Sequence, residues 1–339
     1  MSEVKVYTFT SERMSKYPQI SRGGERPMSL PKIIAIVGPT ASGKTELGIA
    51  LAKKFNGEIV SADSRQIYQK MNIATDKPVG EWRRHGRHKA YFVEAVPHYL
   101  MDIIDPGKNY TVADFKSAAI RICRDISARG KLPIVVGGTG LYLWSLIDNL
   151  DIPAIAPNKN LRRSLESKGL DELARLLRQL DPAGARKIDL KNPRRVIRAL
   201  EVQIITGASF SSQRKKGAPL FDVLQIGLHW PKEILLKRIE ERCDSYIKRG
   251  LLEEVSGLTK QKYGWDLPSM STLGYRQIGY YLRGEMSLEQ ALATLKKDTK
   301  NYAKRQITWF KRDQRIKWIE GSDPKKAEEL VEKFLDAKD

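Results

Sequence analysis

Apolar residues recur along this chain in two rhythms, and the rhythm depends on position. Lys32-Ile33-Ile34-Ala35-Ile36-Val37 is a short, nearly continuous apolar run that ends in glycine. Such a run suits a strand covered on both faces of a parallel sheet. Leu132 to Val136 repeats the pattern and ends in Gly137-Gly138, and Glu58 to Ala62 is a further strand. Between the strands the period lengthens. Gly43 to Phe55 places Leu47, Ala50, Leu51 and Phe55 on one helical face. Thr111 to Arg129 is also helical: Thr111 is a capping residue, Asp114 completes the box, and Gly130 ends the run. Strands alternating with helices predict an α/β fold with a parallel β-sheet flanked by helices.

The texture changes after Leu150. Pro153 and Pro157 break the chain, and residues 161–208 then carry only helical patterns, interrupted at Gly169, Asp181-Pro182 and Asn192-Pro193. Gln213 to Pro219 is a basic link, and Val223 to His229 returns to a strand pattern. Lys232 to Leu258 and Leu288 to Lys311 read as long helices. The organisation expected is an α/β core of residues 31–150 and 221–320, with an inserted all-helical domain at 151–220. Residues 1–30 are expected to form a poorly ordered N-terminal arm, and residues 321–339 a C-terminal helix or tail.

Composition narrows the partners. The 339 residues are 41% hydrophobic, enough for a globular core, and 60 Lys and Arg against 40 Asp and Glu leave a formal charge of +20. An excess of this size points to a polyanion, nucleic acid before membrane. Cys123 and Cys243 are far apart and form no paired motif, so reduced thiols, a cytoplasmic setting and no zinc site are expected. No apolar run is long enough to span a membrane. A monomer is expected.

The chemistry concentrates at the ends of the predicted strands. Gly38-Pro39-Thr40-Ala41-Ser42-Gly43-Lys44-Thr45 matches G-x-x-x-x-G-K-S/T in full, with a buried strand before it and a helix after it. In such a loop backbone N–H groups curl around phosphate oxygens, Lys44 adds a point charge, and the Thr45 hydroxyl can bind Mg²⁺. A nucleotide hydrolase usually holds its metal with an acid at the end of a second buried strand. The run from Leu132 to Val136 ends instead in Gly137-Gly138-Thr139-Gly140. Asp63, after the strand Glu58–Ala62, is the carboxylate at the crevice, able to serve as metal ligand, base or turn cap.

These segments together resemble the tRNA dimethylallyltransferase family. The similarity extends through Ser61-Ala62-Asp63-Ser64-Arg65-Gln66-Ile67-Tyr68, Thr75-Asp76-Lys77-Pro78 and Leu132 to Tyr142. It continues through Pro193 to Val202, Leu273-Gly274-Tyr275-Arg276-Gln277 and Tyr302 to Phe310. The resemblance implies a P-loop core and transfer of a dimethylallyl group from dimethylallyl diphosphate to N6 of adenosine 37, just 3′ of the tRNA anticodon. Gly38 to Thr45 would then hold diphosphate with Mg²⁺, Asp63 would act as acceptor or base, and Thr139 and Arg242 would match further catalytic positions. The chain departs from the family in three places. Its first 30 residues have no counterpart, its insertion is shorter than usual, and Tyr99 stands where a second His is frequent. Eukaryotic members carry a C-terminal zinc finger, whereas no Cys follows Cys243 here, so a bacterial-type protein is expected.

The positive charge is clustered. Residues 296–317 hold nine Lys and Arg against Asp298 and Asp313, with Lys297, Lys300, Lys304 and Lys311 on one helical stripe. Arg83, Arg84, Arg87 and Lys89 form a second cluster, and Arg194, Arg195 and Arg198 a third. A dense face of one sign suits a polyanion such as an anticodon stem-loop, whose target base must leave its stack to react. By the resemblance, the tRNA would meet Asp63, Ser64, Arg65, Gln66 and Thr139, then Arg194, Arg195, Val196, Ile197 and Arg198. Gly274, Tyr275, Arg276 and Gln277 would follow, with Lys304, Arg305, Gln306, Trp309 and Lys311. Three rivals remain open: prenyl transfer to free AMP or ADP, a small-molecule P-loop kinase, and an RNA-binding module without catalysis.

Overall fold

A computed structural model describes residues 29–86, 88–152, 158–210, 216–321 and 323–337. Of the expected N-terminal arm, residues 1–28 lie outside the described residues, as do Arg87, Pro153, Pro157 and residues 213–215 of the basic link. The chain divides into two compact units, one running to Leu143 and resuming at Leu220, the other spanning Trp144–Pro219.

In the first unit the order is β1 (Lys32–Val37), α1 (Lys44–Lys54), β2 (Gly57–Ser61), β3 (Glu81–His85), β4 (His88–Val93) and β5 (Val96–Tyr99). There follow α2 (Val112–Ala128), β6 (Leu132–Val136) and α3 (Gly140–Ile147), along which the first unit gives way to the second. The second unit contains α4 (Lys159–Glu166), α5 (Leu170–Leu180), α6 (Pro182–Ala185) and α7 (Pro193–Thr206). The first resumes with β7 (Asp222–His229), α8 (Lys232–Lys248), α9 (Leu251–Lys260) and α10 (Tyr275–Leu282). It ends with α11 (Leu288–Phe310), β8 (Lys317–Glu320) and α12 (Pro324–Asp336).

The strands form one eight-stranded sheet in the order β3-β4-β5-β2-β6-β1-β7-β8. Neighbours from β5 to β8 run parallel, with Ile34 opposite Ile134 and Ile36 opposite Ile226. Their continuous apolar runs are explained by burial on both faces: Ile33, Ile34, Ala35 and Ile36 are fully inaccessible. Gly48 lets α1 approach the sheet closely, because a Cβ there would press into the Val136 side chain. The capping box predicted for α2 is present, with the Thr111 side chain accepting from Asp114 N–H.

Three sequence expectations are corrected. The sheet is not wholly parallel, because β3 pairs antiparallel with β4 and β4 with β5. Short turns join these strands, and a short turn permits only antiparallel pairing. The helical pattern over 232–258 is two helices, broken at Gly250, whose φ of 88° is left-handed. Finally, β8 adds a parallel edge strand that the sequence reading passed over.

The second unit has its own small core. Leu165, Leu173, Leu177, Val196 and Leu200 are buried together. The inaccessible Glu201 carboxylate bonds Arg162 at 2.7 Å, Arg198 at 2.6 Å and the Asn158 N–H at 2.8 Å.

Candidate functional site

The carboxyl ends of β1, β2 and β6 open on one side of the sheet, where ligands of open α/β folds bind. Gly38 to Thr45 joins β1 to α1, so the loop delivers its backbone N–H groups at a helix start. The path bends sharply. Gly38, Ala41 and Gly43 all have positive φ, and Ala41 at 65° is a non-glycine in the left-handed region. Its neighbours hold that conformation. Arg238 Nε donates to Ala41 O at 2.7 Å, and Trp230 Nε1 donates to Ser42 O at 3.0 Å. The Arg238 guanidinium also stacks on the Trp230 ring, 4.7 Å from its centroid. The Ser42 hydroxyl is buried and has no hydrogen-bond partner.

Lys44 is half-buried, and Nζ donates to Pro39 O at 2.6 Å. Burial, followed by the charge of Arg242, lowers its pKa to about 8, while Asp63, Glu46 and Asp76 act in the opposite sense. The loop lysine therefore lies within electrostatic reach of both sequence-predicted charged residues, Asp63 and Arg242.

Asp63 follows β2 and begins a tight turn. Its Oδ1 accepts from Arg65 N–H at 2.8 Å and Gln66 N–H at 3.4 Å. One carboxylate oxygen thus caps the turn, and Oδ2 takes no part in those bonds. Thr139 approaches from the β6 side, its hydroxyl accepting from Ser64 N–H at 3.0 Å. The Tyr302 side chain, on α11, lies beside Thr139. Burial first, then the negative charge of Asp63, pushes the Tyr302 pKa up, so it stays a neutral phenol.

Gln306 ties the two loops together. Its Oε1 accepts from Thr40 N–H at 2.8 Å, and Nε2 donates to Gly138 O at 2.9 Å. Glycine is required at 138 and 140, because side chains there would collide with Gln306 and with the Trp309 indole. Gln306 is buried, so it serves as a strut between loops and does not face a polyanion.

The remaining predicted contacts separate by exposure. Lys304, Arg305 and Lys311 are exposed, and Arg305 lies over the Tyr302 ring. Arg65 reaches Pro268 O at 2.7 Å. Tyr275 and Gln277 are fully buried, bonded to Glu254 and Asp298, and Arg276 pairs with Asp298 at 2.7 Å. Gly274, at φ 89°, packs against Ala74, so this segment braces the site from behind. In the second unit Arg194 and Arg195 are exposed, Val196 and Ile197 are buried in its core, and Arg198 is tied to Glu201. The stripe on α11 is less positive than its sequence suggests. Lys300 pairs with Glu240 and Lys296 with Asp244, both on α8. In the second cluster, Arg83 pairs with Glu81.

Arg242 donates to Asp76 at 2.9 Å. Sequence does not mark Asp76, Tyr302, Arg238 or Trp230 as site residues, although Asp76 lies in the motif Thr75 to Pro78 and Tyr302 opens the motif Tyr302 to Phe310. Cys123 and Cys243 are buried free thiols. No helix among the described residues is long and apolar enough to cross a membrane.

The chain is similar to known proteins over most of its length. A family model described as IPP transferase matches residues 66–313, and one described as isopentenyl transferase matches residues 31–94. A tRNA dimethylallyltransferase of Thermomicrobium roseum is 44% identical over 305 residues, covering 89% of this chain and 90% of that protein. The solved full-length tRNA isopentenylpyrophosphate transferase of Bacillus halodurans is 36% identical, with a TM-score of 0.64, over 90% of this chain and 95% of that one. A eukaryotic dimethylallyltransferase solved while acting on tRNA is 28% identical, with a TM-score of 0.70, over 90% and 77% respectively.

Proposed function

The chain belongs to the IPP transferase family, and from that membership we infer that it is a tRNA prenyltransferase using dimethylallyl diphosphate. The acceptor is N6 of adenosine 37, beside the anticodon. The observation that carries this reading is the convergence of the Gly38–Thr45 loop, Asp63 and Thr139 at one end of the sheet, with Lys44 in reach of Asp63 and Arg242.

The reaction is a direct displacement. The N6 amine attacks C1 of the dimethylallyl group, the C1–O bond to diphosphate breaks, and the bonding pair leaves with diphosphate. The proton shed by N6 passes to Asp63, whose Oδ2 is outside the turn cap. As a phosphate loop, Gly38 to Thr45 neutralises the departing charge through its N–H groups and Lys44, with Arg242 beside them. Thr139, held by Ser64, fixes the other wall.

Mg²⁺ with a diphosphate needs only one or two protein ligands. The partly exposed Thr45 hydroxyl at the first turn of α1 meets that need. When bound, the ion would screen diphosphate charge. Among the described residues there is no cluster of His, Cys, Asp and Glu for a metal cage.

Lys304, Arg305 and Lys311 are exposed cations for the phosphates of an anticodon stem-loop, and Arg194 and Arg195, in the other unit, are exposed cations for tRNA phosphate in their own right. The test is mass analysis of tRNA nucleosides after incubation with enzyme, Mg²⁺ and dimethylallyl diphosphate, with AMP present as competitor. Prenylated adenosine at position 37 is expected. Prenyl-AMP in its place, or ATP turnover with no use of dimethylallyl diphosphate, would overturn the reading.

A further inference from the structure

We propose that Asp76 is a positioning residue for Arg242, holding its guanidinium in the orientation that receives the diphosphate. The proposal rests on the diphosphate role given to Arg242 above.

Three side chains converge on this one carboxylate. Asp76 Oδ2 accepts from Arg242 Nη1 at 2.9 Å and from the Tyr246 hydroxyl at 2.6 Å. Oδ1 accepts from Arg249 Nη1 at 3.3 Å. Burial, then the charge of Asp76, pushes the Tyr246 pKa well up, so that hydroxyl remains a donor. Arg242 and Tyr246 belong to α8 and Arg249 caps its end, so Asp76 grips the last turns of that helix.

The backbone carries Asp76 to this place at some cost. Its φ is 49°, in the left-handed region where a non-glycine residue is strained. The surroundings enforce the conformation. Gln66 Nε2 donates to both Thr75 O at 3.2 Å and Asp76 O at 3.1 Å, fastening the segment to the Asp63 turn. Glu254 accepts from the N–H groups of Asn72 at 3.0 Å and Ile73 at 3.1 Å. The buried Lys77 anchors the far side on Asp102 at 2.6 Å.

The chemistry explains the choice of aspartate. Asp76 pairs with Arg242 and Arg249 and, after Asp63 and Glu46, also acts on Lys44, so it is an anion set among cations of a partly desolvated crevice. Because Asp76 binds Arg242 through Nη1, the Nε and Nη2 edge of the guanidinium is left to fork onto diphosphate oxygens.

The experiment uses the full chain. KM for dimethylallyl diphosphate, kcat at saturating tRNA, and calorimetric binding of inorganic pyrophosphate with Mg²⁺ are measured for Asp76→Ala, Asp76→Asn, Arg242→Ala and the Asp76→Ala/Arg242→Ala pair. Removing a carboxylate from a cationic crevice would by charge alone tighten an anion, so weakening isolates the positional effect. Asp76→Ala should raise KM and the pyrophosphate Kd about 10-fold, the size of a lost charge-assisted hydrogen bond, with kcat within about threefold. Asp76→Asn, which can still accept from Arg242 and supports the turn, should lose less. The double variant should be no worse than Arg242→Ala alone. Tighter pyrophosphate binding in folded Asp76→Ala or Asp76→Asn would overturn the proposal, and so would additive losses in the pair. Unchanged KM in Arg242→Ala would overturn the diphosphate role of Arg242, and this proposal with it.

Discussion

Glu58 near the start of β2 and Asp63 just beyond its end are carboxylates on one stretch of chain in very different surroundings. Glu58 is inaccessible and saturated. Arg129 forks onto it with two bonds of 2.6 Å, Lys131 and His85 lie at 2.8 Å, and the Tyr99 hydroxyl donates at 2.8 Å. Burial alone would raise its pKa; these bonds, Arg129 foremost, more than reverse that and bring it to about 2. Asp63 is half-buried, spends one oxygen on a turn and keeps the other clear. A fully satisfied carboxylate joins the edge hairpin to α2, whereas a half-satisfied one keeps an oxygen open to a further partner. The comparison teaches that burial of a charge marks structure when its partners are complete, and chemistry when they are not.

The comparison breaks most directly at Glu58. Glu58→Ala strands three basic groups and should cost about 3–5 kcal/mol in denaturant unfolding, while kcat of the folded fraction stays near wild type. A large fall in kcat at unchanged stability would merge the two ends of the strand. Asp63→Asn sharpens the contrast. The amide oxygen still caps the turn, so the melting temperature should hold, yet kcat should drop by about 10²-fold or more in a steady-state assay.

Acid acts on the buried groups more gently. The Glu58 pKa is lower in the folded chain than its ordinary 4.5, so the stability it adds is complete above about 4.5 and lost as pH falls toward about 2. His98 is buried, bonded through Nδ1 to Val96 O, and burial lowers its pKa from 6.5 to about 4. Its contribution is complete above 6.5 and lost as pH falls through 4. Thermal melts from pH 7 to 3 should fall in two overlapping steps, and Glu58→Gln should remove only the lower one. The smallest change belongs to the surface: Lys304→Ala or Lys311→Ala should lower the slope of log tRNA affinity against log salt by up to about 0.9 each in a binding titration.

Much of this was legible in the chain. β1, β6, α1 and the capped α2 announce themselves because double burial and caps are local demands. β3 and β4 were obscured because their exposed residues, Arg83, Arg84 and Lys89, read as a charge cluster before they read as a strand. The loop, Asp63 and Thr139 stood out by motif. Gln306 matches a tRNA contact by motif, yet the structure buries it. Asp76, Tyr246 and Arg249 could not be joined on paper, since α8 reaches Asp76 only through tertiary packing across about 170 residues.

One pairing also bears on how the chain is made. β1 lies between β6 and β7, and Lys32 at its start donates at 2.7 Å to the carbonyl of Ala337, 305 residues away. At a synthesis rate of about 5–20 residues per second, the first strand waits on the order of 15–60 s before its last partner leaves the ribosome. For the shorter interval before β7 emerges, about 190 residues after β1, one edge of the future sheet centre is open to stray strands. The nascent chain is therefore expected to be a client of holding chaperones until β7 emerges.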